Sequence, residues 1–474
     1  MTMEKRTYKR HFVAWAMVAL TALGCDDYLD INTDPNNPSV APLSGLLART
    51  SFETGDNIQN AGLITSYYVQ YLASPNAASA TDTQEPVAFD QTWFELYDVM
   101  TDLSDLELQA EELEAFNYAG IAKILKAVNL GITVDLWGDI PYTEAFFAQT
   151  LTPAYDTDHG LYNVIQQLLD DGIQDLESGN FSYEVENDDF IYEGDIDLWI
   201  KTAHALKARY LLHLSETGDY DPTAILNQVE GSYTGNADDA TVSYFAEQVN
   251  PWASVAISNA SLILGGWISE QLIEAMDGTT YGVVDPRMSF MFGTTNGGEF
   301  IGTENGAGRG DAPEQGARST LVEGTYYSSR TSPIEVITYA ELKFIEAEAA
   351  LSSDPARAYQ SYLDGIEAHM EKLGVDNADI QVYLTDPQVA VGAGSLTRAL
   401  ILKEKYIAMF LHPETWVDAR RFDYQYADMT VPANLNPELG GEFIRRLIYP
   451  DSETQRNRQN VPDVTLLDRL WWDQ

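Results

Sequence analysis

The sequence predicts a mostly α-helical fold, in which helical hairpins carry irregular loop insertions. Three observations lead there. Several long stretches repeat apolar residues at helical spacing, and two other stretches are polar or glycine-rich and lack any period. The composition then allows a large interior, because 45% of the 474 residues are hydrophobic. Such a chain has the material for one large domain or two ordinary ones.

The first 24 residues read as a signal peptide. Lys5, Arg6, Lys9 and Arg10 form a basic start, and the run from Phe12 to Leu23 is uncharged and mostly apolar. That run is shorter than the ~20 residues a membrane-spanning helix needs. It ends Ala22-Leu23-Gly24-Cys25, and Cys25 is the single cysteine of the chain. One cysteine excludes an intramolecular disulfide and a cysteine-based zinc site. The four residues resemble a lipobox, which implies cleavage before Cys25 and its lipidation, although alanine stands where leucine is commoner. Residues 25–43 then form a tether rich in Asp, Asn and Pro. The spacing Asp30-x-Asn32-x-Asp34 starts like an EF-hand loop, but Pro35 and Ala41 stand where glycine and a bidentate glutamate are required. Calcium is therefore excluded there. A structural calcium elsewhere stays open without an assigned site.

From about Ser44 to Leu214 the chain reads as successive amphipathic helices. Within Tyr118–Val134, Ala122, Leu125 and Val128 step by three; within Leu198–Leu214, Ala203, Leu206, Tyr210 and Leu214 keep helical spacing. Thr338–Leu351 and Leu396–Leu411 are two further helices. Periodicity alone gives a mostly α fold and nothing finer. Ala73–Asp90 is a polar loop. Gly278–Ser332 is long and glycine-rich, with Gly297-Gly298, Gly306, Gly308, Gly310 and Gly316. Loops of this length are either functional or disordered, so both border the expected ligand side.

Charge and motif content narrow the function. The net charge of -46 comes from 27 basic and 73 acidic residues, which excludes a nucleic-acid partner and disfavours polyanions. No His-Glu-x-x-His pair, Gly-x-Ser-x-Gly elbow or phosphate-binding glycine loop occurs. The histidines, among them His204 and His213, are scattered and read as structural. The expectation is a binding protein without catalytic residues, cofactor or metal centre.

Six fragments in order resemble the SusD/RagB family, in its SusD-like branch. They are Leu29–Asn36, Asp135-Leu136-Trp137-Gly138-Asp139-Ile140-Pro141, Asp285-Pro286-Arg287, Tyr339–Ala349, Leu402–Tyr406 running on to Trp416–Arg421, and Arg445–Pro450 through Asn457. The resemblance implies one tetratricopeptide-like domain over residues 44–474. It also implies a cell-surface, outer-membrane lipoprotein, to which Asp26 and Asp27 after Cys25 add a surface-export signal. The implied activity is capture of a neutral oligosaccharide and its delivery to a SusC-like TonB-dependent barrel. An oligopeptide-capturing lid on a peptide importer is the alternative, and a surface glycoside hydrolase a more distant one. Most of these motifs belong to the scaffold, so Trp137, Trp416 and Arg420 read as structural.

Sugars offer flat apolar faces edged by hydroxyls, so aromatic platforms beside amides mark the candidate site. Tyr67 and Tyr71 precede the polar loop, Asn76 lies in it, and Trp93 follows it in a core-like context. Trp252, just after Asn250-Pro251, sits at a break that favours exposure. Trp267, after Gly265-Gly266, and Tyr281 stand near the start of the glycine-rich region.

Overall fold

The structure is a computed structural model that describes residues 41–147, 150–179, 181–259, 265–310 and 316–474. The expected signal peptide, Cys25 and the tether up to residue 40 lie outside the described residues.

Helices dominate, as expected. The first six are α1 (Leu43–Tyr68), α2 (Asp90–Glu112), α3 (Phe116–Trp137), α4 (Asp158–Glu177), α5 (Ile196–Leu212) and α6 (Pro222–Glu230). Each packs on the next, so the chain climbs as stacked antiparallel hairpins. Side-chain caps set their starts. Thr157 Oγ1 accepts from the Gly160 amide, Asp195 from Leu198 and Asp221 from Thr223, with Pro222 opening α6 where no amide hydrogen is needed. The α3–α4 seam is narrow because two glycines meet in it. A Cβ on Gly120 would lie 2.9 Å from the Gly172 carbonyl oxygen. Ala122, Leu125 and Val128 point into the core, as their spacing predicts.

After β2 (Ala240–Val242), α7 (Pro251–Asn259), α8 (Glu270–Met276) and α9 (Met288–Met291), strand β4 (Ile334–Ile337) pairs antiparallel with β2. A second helical group follows: α10 (Tyr339–Ala350), α11 (Pro355–Leu373), α12 (Asn377–Leu384), α13 (Arg398–Ala408) and α14 (Glu414–Arg421). Helix α10 forms a hairpin with α11 and also packs on α5, α6 and α13, which closes the scaffold. The short α15 (Asp451–Arg456) comes near the end.

Two helix boundaries differ from the apolar pattern. The pattern through Leu214 outruns α5, whose last residues tighten into a 3-10 turn at His213–Glu216. The pattern through Leu411 outruns α13, because Leu411 adopts a left-handed φ of 68°. That turn aims the Leu411 carbonyl at α1, where a Cβ on Gly62 would lie 2.3 Å from its oxygen.

The scaffold is also held by ion pairs taken out of water. Arg209 of α5 pairs with Glu341 of α10 at 2.5 Å. Arg421 reaches Glu348 at 2.9 Å and Asp418 at 2.6 Å, and Lys405 meets Asp418 at 2.8 Å. Arg287 pairs with Asp285 at 2.5 Å and also with Glu404. Apart from Arg209, these residues come from the third, fourth and fifth sequence motifs, so those motifs supply joints between helical groups. Trp137 donates from Nε1 to the Ile448 carbonyl at 3.0 Å, tying the second motif to the sixth. Trp137, Trp416 and Arg420 are buried, as their structural reading requires. Among the described residues no helix is long and apolar enough to cross a membrane.

Candidate functional site

The irregular segments converge on one side of the scaffold, and Asp82 is their centre. Its carboxylate accepts from the Ser74 amide at 3.1 Å, the Gly306 amide at 2.6 Å and Asn305 Nδ2 at 2.5 Å. Burial pushes this carboxyl up to about 6, although the same three donors favour its charged form. A third segment joins there, because Ala433 donates to the Asn305 carbonyl at 2.9 Å. Gly306 is required at the junction: its φ is 78°, and a Cβ would lie 1.7 Å from the Ala433 oxygen. Polar loop and glycine-rich loop are thus stitched together by backbone bonds, including Ala78 N–H to Gly306 O at 2.9 Å and Arg309 N–H to Pro75 O at 3.0 Å.

On the same side, β1 (Leu72–Ala73) pairs antiparallel with β3 (Trp267–Ile268). Trp267 faces Ala73 across that pair and bridges to Thr320 on its other flank. Trp267 forms part of the wall of a cavity of about 490 Å³, together with Asn296, Arg318, Thr320, Leu321 and Glu323. Among the described residues, two sealed donors of these side chains have no hydrogen-bond partner: Trp267 Nε1 and Arg318 Nε. Glu323 is held by Arg330 at 2.6 Å. The volume lies within the range of small-ligand sites, and the wall mixes apolar surface with fixed polar groups. Such a lining suits an uncharged, hydroxyl-bearing ligand.

The sequence candidates fall into three groups. Trp267 lines the cavity, although only 1% of its surface is exposed. Asn76 is exposed on the polar loop, against the backbone at Gly308. Tyr71 runs into the same β1 segment, its carbonyl accepting from the Ser269 amide at 3.0 Å, but its ring is buried and stacked on Tyr406 at 4.5 Å. Tyr67, one turn earlier, is half-buried. Tyr281 is half-buried too, with Lys403 Nζ 5.0 Å from its ring centre. Trp93 is a core residue packed edge-on to Trp137 at 5.2 Å.

The expected exposure of Trp252 is corrected. The Asn250-Pro251 break is the start of α7, where Asn250 Oδ1 accepts from the Trp252 amide at 2.8 Å. The indole then folds inward beside Gly62 and is 3% exposed. A proline after asparagine marks a helix start as readily as a loop. Sequence reasoning missed Arg318, Asn296 and Glu323. The glycines around them, Gly297-Gly298 and Gly316, mark the region but not which polar neighbours turn inward.

One metal-compatible group exists among the described residues: Asp135, His213 and Glu414, all buried in the scaffold. It does not suit calcium. His213 Nε2 is bound to Glu414 at 2.6 Å, Tyr162 donates to Asp135 at 2.5 Å, and Arg209 lies 4.0 Å from Glu414. Calcium takes six to eight oxygen ligands, and the adjoining void of about 20 Å³ holds one water. Burial opposes ionisation of Glu414, yet His213, Arg209 and Lys405 hold its carboxyl below the ordinary range. The same burial raises Asp135 to about 6. This is a hydrogen-bonded joint between helices, not an ion cage.

A family model described as SusD-like, starch-binding and associating with the outer membrane, matches residues 35–450. No curated protein matches the chain. Among solved structures, a SusD/RagB family protein from Bacteroides thetaiotaomicron superposes with a TM-score of 0.73 at 23% identity, covering 91% of this chain and 99% of that one. A chitin-binding SusD homologue from Flavobacterium johnsoniae gives 0.75 at 20%, covering 90% and 98%. A SusD homologue from Bacteroides uniformis gives 0.73 at 21%, covering 90% and 99%. At these identities the superpositions establish the fold.

Proposed function

The chain belongs to the SusD-like family of starch-binding proteins that associate with the outer membrane, and we propose that it captures a neutral oligosaccharide at the cell surface. Binding takes place without bond cleavage, and the ligand passes to a SusC-like TonB-dependent barrel. Lipid attached at Cys25 holds the protein at the membrane. The observation that carries the ligand class is the cavity beside β3, whose wall sets Trp267 and Leu321 among the polar side chains of Asn296, Arg318 and Thr320. A sugar presents both a flat apolar face and hydroxyls that donate and accept, which such a mixed wall can meet. The chitin-binding homologue supports a glycan over a peptide, because it has the same fold and a carbohydrate ligand.

In this reading Trp267 and Arg318 orient the sugar, and Asn296 and Thr320 add polar contacts along the wall. Asn76 stands on the neighbouring loop, placed to meet a longer chain. Affinity electrophoresis through gels containing neutral polysaccharides tests the proposal. Retardation in at least one gel, abolished in an Arg318→Ala variant that melts at the parental temperature, supports it. Absence of retardation in every gel, with uptake of labelled oligopeptides instead, rejects the glycan reading in favour of peptide capture.

A further inference from the structure

A second concavity lies on the scaffold, formed by α1, α2 and the segment around Tyr244. It has a volume of about 420 Å³, close to that of the loop-side cavity, but a different chemistry. Four carboxylates line it, Glu53, Asp56, Glu95 and Asp98, against one cation, Arg49. Arg49 is already committed to Glu53 at 2.9 Å and to Asp102 outside the groove. The groove therefore carries an excess of negative charge that its own residues do not neutralise.

An acidic surface is ordinary in a chain with this net charge, but Gln59 is not. It is 5% exposed, lines the groove, and its side chain makes no hydrogen bond among the described residues. The little surface it keeps opens on the groove, and its amide is not sealed from it, so an unused donor and acceptor stand ready there for a partner that arrives from outside. Asn60 and Tyr244 are already used: Asn60 donates to Glu95 at 2.6 Å, and Tyr244 donates to Asp56 at 2.7 Å. Those bonds fix the two carboxylates in place. Phe52 and Tyr244, with centroids 5.0 Å apart, add an aromatic wall.

We propose that this groove is a second ligand site, which binds primary ammonium groups through Asp56 and Glu95 with Gln59 as an additional hydrogen-bond partner. Carboxylates supply charge, the aromatic wall supplies cation–π attraction, and the amide oxygen of Gln59 accepts an N–H. A metal ion fits less well, because the groove's carboxylate oxygens do not converge into a metal-compatible group among the described residues. An amino sugar and a linear polyamine share the required chemistry.

Isothermal titration of the purified protein with a β-1,4-linked glucosamine dimer and, separately, with spermidine tests this. Binding of either probe is expected, and the one that binds identifies the source of the amine. Combining Asp56→Asn with Glu95→Gln should lower affinity at least tenfold. Gln59→Leu should lower it several-fold without lowering the melting temperature, which separates a ligand role from a structural one. The distant exposed control Glu371→Gln should leave affinity unchanged. The proposal is overturned if neither probe binds, or if Glu371→Gln weakens binding as much as Glu95→Gln. It is equally overturned if binding is lost in Arg318→Ala, which would assign the probe to the loop-side cavity.

Discussion

The scaffold and the loop layer are held together by different means. Between helical groups the joints are side chains: Arg421 with Glu348, Arg209 with Glu341, Arg287 with Glu404. In the loop layer the joints are mostly backbone, with glycines such as Gly306 permitting close approach and Asp82 gathering the amides. The difference also shows in the carboxylates. Burial opposes ionisation of Glu348, but Arg421 and Arg398 hold it at about 2, whereas Asp82, with no guanidinium beside it, is pushed up to about 6. Charge is locked in where a guanidinium meets the carboxylate, as at Glu348, and is only tolerated where hydrogen bonds alone hold it, as at Asp82.

The largest effect should come from breaking a scaffold joint. Arg421→Ala removes the guanidinium shared by Glu348 and Asp418, leaving only Arg398 on the one and Lys405 on the other, and denaturant titration should show a loss of about 3–5 kcal/mol. Trp252→Ala should cost a similar amount, about 3–5 kcal/mol, because it empties a core position. Any ligand binding lost in that variant should return under stabilising conditions, as expected of a residue that touches no ligand.

Acid should separate the two regions by sign. Glu348 is depressed from its ordinary 4.5 to about 2, so its contribution is complete above pH 4.5 and is lost as pH falls through 2. That contribution is worth roughly 3 kcal/mol. Asp82 is raised from 3.8, so its ionised form strains the loop layer above pH 6, and the strain is relieved as pH falls towards 3.8. Acidification from pH 7 to 5 should therefore protect the loop layer from limited proteolysis before the scaffold weakens. If both regions lose protection together from pH 6 downward, the contrast fails. The smallest stability change belongs to Trp267→Phe. Losing an indole N–H without a partner among the described residues costs little, so the change should come mainly from the smaller buried ring, about 1–2 kcal/mol, while glycan retardation weakens several-fold.

The scaffold was legible in the sequence because helical packing repeats. Ala122, Leu125 and Val128 announce a buried face by spacing alone, and the Asp285, Glu348 and Arg421 motifs survive as short readable words because paired charges constrain both partners. The loop layer has no such grammar. Trp267 could be suspected from its two preceding glycines, but Arg318 reaches the cavity through turns that no period predicts. Trp252 misled because Asn-Pro is written the same way for a loop and for a capped helix start. Gln59 lies in a stretch that reads simply as helix, and only its missing partner in three dimensions marks it.

The stitching of the loop layer also fixes the order of events as the polypeptide forms. The Ile444 amide donates to Gln84 Oε1 across 360 residues, and Tyr406 donates to the Val69 carbonyl across 337. Contacts so remote in sequence are slow to form, because the intervening chain must first be confined. The hairpins from α1 to α6 make most of their helix contacts with sequence neighbours and can begin to assemble as they emerge, whereas the Gln84–Ile444 bond waits for the last thirty or so residues. Pulse-labelled hydrogen exchange during refolding should show amides of the helical hairpins protected well before those of Ser74, Gly306 and Ile444.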